Sequence, residues 1–103
     1  MDLAAKILVQ PPQGIPRDLV VGYLSRSRSS VSTLRAAVDR SDYDAVRVFG
    51  HRLKGTGGAY GMPRLTELGA AIERAGAGKK PEELEPLVFA LDTYLGQLEV
   101  AAA

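Results

Sequence analysis

The segment FGHRLKGTGGAYG, residues 49–61, sets the chain's single histidine, His51, close to a lysine and among five glycines. A neutral imidazole is a competent nucleophile near pH 7 and can take up a group from another molecule and hand it on. Lys54 follows three residues later, about one helical turn away, where an ammonium can offset negative charge arriving on the ring. A phosphoryl group brings nearly two such charges, and its transfer asks a protein for positioning and charge stabilisation more than for covalent chemistry. Each glycine in a helix interior costs about 1 kcal/mol relative to alanine, so the five in this stretch need a reason.

A helical wheel at about 100° per residue supplies one if the helix is continued to about Tyr60. Val46, Phe49, Leu53, Thr56 and Tyr60 then form a core face, and His51 points to solvent with Asp44, Arg47, Lys54, Gly55 and Gly58 around it. Gly50, Gly57 and Gly61 collect on one flank, where they would let a neighbouring helix come close, whereas Gly55 and Gly58 would clear the approach to His51. Arg47 and Arg52 are candidates for attracting an acidic docking partner. A metal centre is not expected, since His51 and Asp44 are too few ligands beside a repelling Lys54 and the chain has no cysteine. A phosphate-binding loop also fails: Gly50 and Gly55 have the required spacing, but Thr56 stands where that motif needs lysine.

Four helices must position these residues. From Pro16, apolar residues recur at Leu19, Val20, Tyr23, Leu24, Val31, Leu34 and Val38, predicting one long amphipathic helix to about Arg40 with a serine-rich middle open to kinking or fraying. Ser41 reads as the N-cap of the second helix. Pro63 opens a third, with Leu65, Leu68, Ile72 and Ala75 as its seam and Gly76 and Gly78 as its stops. Pro81 with Glu82, Glu83 and Glu85 opens a fourth, whose apolar face runs from Leu84 to Leu98 and which tolerates Pro86 near its start. No stretch alternates convincingly enough for a strand. The expected fold is all-α, an antiparallel up-down four-helix bundle over residues 16–103, preceded by an arm over residues 1–15 that is broken by Pro11, Pro12 and Gly14 and covers one end of the fold.

A chain of 103 residues makes one domain, and 13 Lys plus Arg against 12 Asp plus Glu leave a net +1, which gives no electrostatic basis for nucleic-acid binding. The arginines of the first helix, Arg17, Arg26, Arg28 and Arg35, read as surface solubilisers. Neither a secretory signal nor an apolar run of the ~18 residues needed to span a bilayer is present, so no membrane role and a cytoplasmic monomer are expected.

His51-Arg52-Leu53-Lys54-Gly55-Thr56-Gly57-Gly58-Ala59-Tyr60-Gly61, followed by Leu65, Leu68 and Ile72-Glu73, resembles the histidine-containing phosphotransfer (HPt) domains of bacterial multistep phosphorelays. Their signature runs roughly H-x-L-K-G-(S/T)-x-x-x-x-G and is followed by a leucine-rich helix with an L-E-like pair. The resemblance implies that His51 is the phosphoacceptor through Nε2, that Lys54 is the charge partner of the phosphohistidine, and that Gly55 and Gly58 give access to a receiver domain. It also implies response-regulator receiver domains or a hybrid histidine kinase as partners, no ATP site or cofactor in this chain, and magnesium held by the receiver. Thr56-Gly57 replaces a frequent serine pair, and Tyr60 a commoner aliphatic residue. The chain is thus expected to be a phosphorelay carrier rather than an enzyme, the alternative being a docking module that binds a receiver or kinase without accepting phosphate.

Overall fold

The computed structural model describes residues 5–102. Four helices dominate: α1 Arg17–Asp39, α2 Tyr43–Thr56, α3 Pro63–Ala77 and α4 Pro81–Gln97. They form a bundle in which α2 and α4 each pack against both α1 and α3. The core is the sum of four apolar stripes, with Val20, Leu24, Val31 and Leu34 from α1, Val46 and Leu53 from α2, Leu65, Leu68 and Ile72 from α3, and Leu84, Val88, Leu91 and Leu95 from α4. Among the described residues no helix is long and apolar enough to cross a membrane.

Helix α1 runs unbroken through its serine-rich middle. Ser27 is buried there, and the Ser30 and Ser32 hydroxyls donate to the carbonyls of Ser27 and Ser29 at 2.7 and 3.1 Å. Its end differs from the reading of Ser41 as an N-cap. Ser41 takes φ +58°, its N–H bonds the Val38 carbonyl and that of Asp42 bonds the Ala37 carbonyl, which closes a Schellman turn. Asp42 then caps α2, its Oδ1 accepting from the Ala45 N–H at 3.1 Å. The same device joins α3 to α4: Lys79 takes φ +53°, with Lys79 and Lys80 N–H groups on the carbonyls of Gly76 and Ala75. Gly78 is the cap residue of α3, while Gly76 is no stop at all but a buried position inside the helix.

The all-α bundle is as expected, and two short strands, where none was expected, add a small parallel bridge to it. β1 (Ile7–Val9) in the arm pairs in parallel with β2 (Leu98–Val100), Ile7 opposite Leu98 and Val9 opposite Val100. Leu98 was expected on the apolar face of α4; it is buried, but as the first residue of β2. Each strand has three residues, too few to show a period of two in sequence. The carbonyls at the end of α4 and along β2 would otherwise lack donors. Arg28 donates to those of Leu95 and Leu98 at 3.0 and 2.6 Å, and Arg17 to those of Val100 and Ala101 at 3.2 and 2.8 Å. These two arginines therefore pin the C-terminal segment instead of serving only solubility, and Arg35 pairs with Asp92 at 3.2 Å.

Candidate functional site

Helix α2 carries His51 on its exposed face, Asp44 in its first turn and Lys54 in its last, so both charges oppose the helix dipole. It stops at Thr56, short of the Tyr60 that the wheel assumed. Gly57 is the C-cap, a 3₁₀ turn covers Gly58–Tyr60, and Gly61 takes φ +83° with its N–H on the Gly58 carbonyl. Thr66 of α3 fixes this exit, its hydroxyl accepting from the Gly58 N–H at 2.9 Å and donating to the Lys54 carbonyl at 3.1 Å. Tyr60 leaves the helix and stacks on Tyr23 of α1, with ring centroids 4.3 Å apart and planes 8° from parallel. Val46 and Leu53 are buried as expected, but Phe49 and Tyr60 are half-buried and Thr56 is exposed. The Thr56 hydroxyl donates to the Arg52 carbonyl at 3.0 Å and accepts from the Tyr23 hydroxyl at 2.8 Å.

The glycines have more than one role. A Cβ on Gly50 would lie 2.7 Å from the Gly69 carbonyl oxygen and one on Gly69 would lie 2.8 Å from that of Gly50, so α2 and α3 cross backbone to backbone there. One turn or two along the same stripe of α3, a Cβ on Gly76 would lie 2.8 Å from the Arg47 nitrogen. Gly57 likewise packs against Leu65, whereas Gly61 serves the arm, its α-carbon facing the Gln10 carbonyl and Pro12. Around Gly55 a Cβ would meet nothing within 4 Å. Gly58 is exposed but sits in the turn rather than on the histidine's helical face, and a Cβ there would come 3.3 Å from the Thr66 hydroxyl.

Gly69 and Gly76 share a helical stripe with Glu73, and the close crossing they permit brings that carboxylate onto α2. Glu73 Oε2 lies 2.8 Å from His51 Nδ1, and its Oε1 lies 2.7 Å from Lys54 Nζ. The histidine side chain is 65% exposed and the glutamate 22%, so the carboxylate forms a recessed floor beneath an accessible ring. The Lys54 ammonium, and then the His51 ring, hold the Glu73 carboxyl below the ordinary glutamate range. Arg47 is tied to Asp44 at 2.9 Å, while Arg52 is exposed with no carboxylate in ion-pairing range among the described residues. Also among the described residues, no three His, Asp or Glu side chains cluster closely enough to hold a metal ion.

The family model for the Hpt domain matches residues 18–101. The chain belongs to the Hpt domain family. Searches of curated proteins and of solved structures return no match. Hpt domains are phosphocarrier modules of two-component systems and interact there with receiver domains and kinases. In this Hpt domain the structure brings His51, Lys54 and Gly55 together on one face of α2, leaves Arg47 and Arg52 on opposite flanks of the ring, and moves Gly58 into the turn. Sequence reasoning singled out Ile72-Glu73 only as part of a motif and gave Glu73 no task. The signal that could have found it is the spacing Gly69, Glu73, Gly76, which sets a carboxylate between two bare positions on one stripe of α3.

Proposed function

We propose that this Hpt domain accepts a phosphoryl group on Nε2 of His51 from a phospho-aspartyl receiver domain or a histidine kinase and returns it to the aspartate of another receiver. The observation that carries the reading is the 2.8 Å contact between Nδ1 of an exposed ring and Glu73. A carboxylate held below its ordinary range is anionic at neutral pH and can only accept, so Nδ1 bears the proton of the neutral ring and the lone pair sits on Nε2.

That lone pair attacks the phosphorus. An N–P bond forms as the bond from phosphorus to the aspartyl oxygen breaks, and the carboxylate leaves with the electron pair. The ring becomes a phosphoimidazolium with its proton still on Nδ1, facing the Glu73 carboxylate, so no proton need be lost at the moment of transfer. The reverse step breaks N–P and restores the lone pair to Nε2. Lys54 holds Glu73 and supplies positive charge for the incoming phosphoryl oxygens. Gly55, and Gly58 in the turn beyond it, keep the approach free of side chains. The magnesium that such transfer uses is assigned to the receiver's carboxylates, and the phosphoryl group comes from the partner rather than from a nucleotide bound here. A monomer acting in the cytoplasm suits this role.

The test mixes the chain and its His51→Gln variant with several phosphorylated receiver domains and looks for acid-labile, base-stable phosphate. Label on the wild type alone is expected, with the variant keeping its helicity because the ring is mostly exposed. Measurable receiver binding without label on either chain would overturn the carrier reading in favour of a docking module.

A further inference from the structure

Two residues on the outer face of α4 have no explanation in the packing of the bundle. Phe89 is 70% exposed, more than any other large apolar side chain among the described residues. Gly96 stands inside the helix, where glycine is less favourable than alanine, yet its φ is not left-handed and a Cβ there would meet nothing within 4 Å. Neither a turn nor a close neighbour calls for it. Phe89 and Gly96 are about two helical turns apart and so lie on one line along the helix.

At about 100° per residue, Glu82, Glu85 and Asp92 join them within a sector of about 80°, well round the helix from the buried Leu84, Val88, Leu91 and Leu95. The helix carries one further carboxylate, Glu83, and no Lys or Arg. Asp92 is paired with Arg35 of α1, while Glu82, Glu83 and Glu85 have no ion-pair partner among the described residues. A small notch between α1 and α4 adds Asp39 beside Glu85. The stripe is an apolar knob and a bare hollow inside an acidic border.

Its place in the bundle separates it from His51. Helices α2 and α4 both pack against α1 and α3, so they stand diagonally opposite each other. The Arg35–Asp92 pair turns the stripe toward α1, whereas the Glu73 contact turns His51 toward α3. A body seated on the stripe leaves the ring uncovered.

We infer that the Phe89–Gly96 stripe of α4 is a second docking surface, and that its occupant is a basic amphipathic helix of another protein, with an apolar ridge bordered by lysine or arginine. Charge decides the class of occupant. Nucleic acid and anionic lipid surfaces carry the same sign as the border and are repelled, and a second α4 in two-fold contact would set like carboxylates against one another. Geometry decides its form. Phe89 enters a gap in the facing ridge, and that ridge comes down onto the bare backbone at Gly96, as when the ridges of one helix fill the grooves of another. The assignment is independent of the carrier reading, and it lets one protein hold the domain while His51 meets another.

The experiment uses the full chain and two synthetic helical peptides of about five turns each, one with a leucine and alanine ridge bordered by lysines, the other with glutamates in place of the lysines. Fluorescence anisotropy gives the affinities, and amide chemical shifts locate the contact. The lysine peptide is expected to bind at least tenfold more tightly than the glutamate peptide, with shifts along α4 and not around His51. Phe89→Ser, Glu85→Lys and Gly96→Leu should each weaken it at least tenfold. Glu67→Lys, the same change of charge at an exposed position on α3, should leave binding close to wild type. Gly96→Leu separates docking from folding, because the added side chain meets nothing in the bundle and should raise Tm while it weakens binding. Labelling of His51 by phosphoramidate, a small phosphoryl donor that needs no docking, should run at the wild-type rate in every variant and with the lysine peptide bound. Equal affinity for the two peptides, unchanged affinity in the stripe variants, or shifts and loss of labelling centred on His51 would overturn the assignment. So would a concentration-dependent dimer mass that Phe89→Ser abolishes, since the stripe would then belong to a second copy of the chain.

Discussion

On its α3 side, helix α2 meets its neighbour through bare backbone at Gly50 and Gly69, while on its α1 side the contact is made by side chains and leaves a groove of about 720 Å³. The first arrangement allows no adjustment. Main-chain atoms cannot rotate away, so the crossing fixes where Glu73 arrives beneath His51. The second leaves half-buried apolar side chains at Val48 and Phe49 beside Arg26 and Arg52, neither of which has an ion-pair partner among the described residues. The histidine lies between the two, its Nδ1 on the rigid side and its open approach on the other. A phosphocarrier benefits from both: one wall to hold the ring, and one free face to receive a partner.

The largest effect should come from disturbing the rigid side. Gly50→Ala puts a methyl group 2.7 Å from the Gly69 carbonyl and even closer to the Glu73 backbone, so α2 and α3 must separate. The expected cost is about 2–3 kcal/mol, seen as a fall of roughly 10 °C or more in Tm, with weakened phosphoramidate labelling as Glu73 withdraws. Gly55→Ala, on the open side, should instead gain about 0.5–1 kcal/mol in a urea titration because nothing lies within 4 Å. Equal responses at the two positions would erase the contrast between the two sides of α2.

Glu73→Gln leaves the shape of the rigid side and removes its charge. Phosphoramidate labelling of His51 should slow about tenfold, because an ionic hydrogen bond to the ring is replaced by a neutral one. The variant should also change the acid limb of stability. The folded-state value of Glu73 is depressed, chiefly by Lys54 and then by His51, so its contribution is present above the ordinary glutamate value of 4.5 and is lost as pH falls through the lower folded value. Melting temperatures measured downward from pH 6 should show the wild type and the variant converging at the acid end. A constant gap between them would show that Glu73 acts through packing alone.

The smallest effect lies away from both flanks. Lys79 is exposed and holds φ +53° at the end of α3, a conformation that costs an L-residue roughly 1 kcal/mol. Lys79→Gly should recover part of that and raise Tm by a few degrees. Its labelling kinetics should stay at the wild-type rate, and a change there would mean that the α3–α4 turn helps set the crossing that delivers Glu73.

Much of the molecule was legible because amphipathic helices announce themselves through local spacing. Leu65, Leu68 and Ile72, or Leu84, Val88, Leu91 and Leu95, could be placed in a core from their periodicity, and Pro63 and Pro81 marked helix starts. Turns were less legible, since Ser41 and Lys79 occupy left-handed positions where glycine is the expected residue. Gly76 looked like a stop and proved to be a contact. The extent of α2 was overestimated because the forces that end it, Thr66 on the turn and Tyr23 beneath Tyr60, come from other helices.

By itself the sequence determined the four helices, the solvent-facing histidine with its lysine one turn away, and the family to which that pattern belongs. These depend on residues near one another in the chain, where the helical period is enough to set their relative directions. The tertiary structure alone decided that Glu73 reaches both His51 and Lys54, that Arg17 and Arg28 hold the C-terminal segment, that β1 and β2 pair, and that Arg26 and Arg52 border one groove. Each of those depends on how closely two distant segments approach, and that distance is set by what fills or leaves empty the space between them.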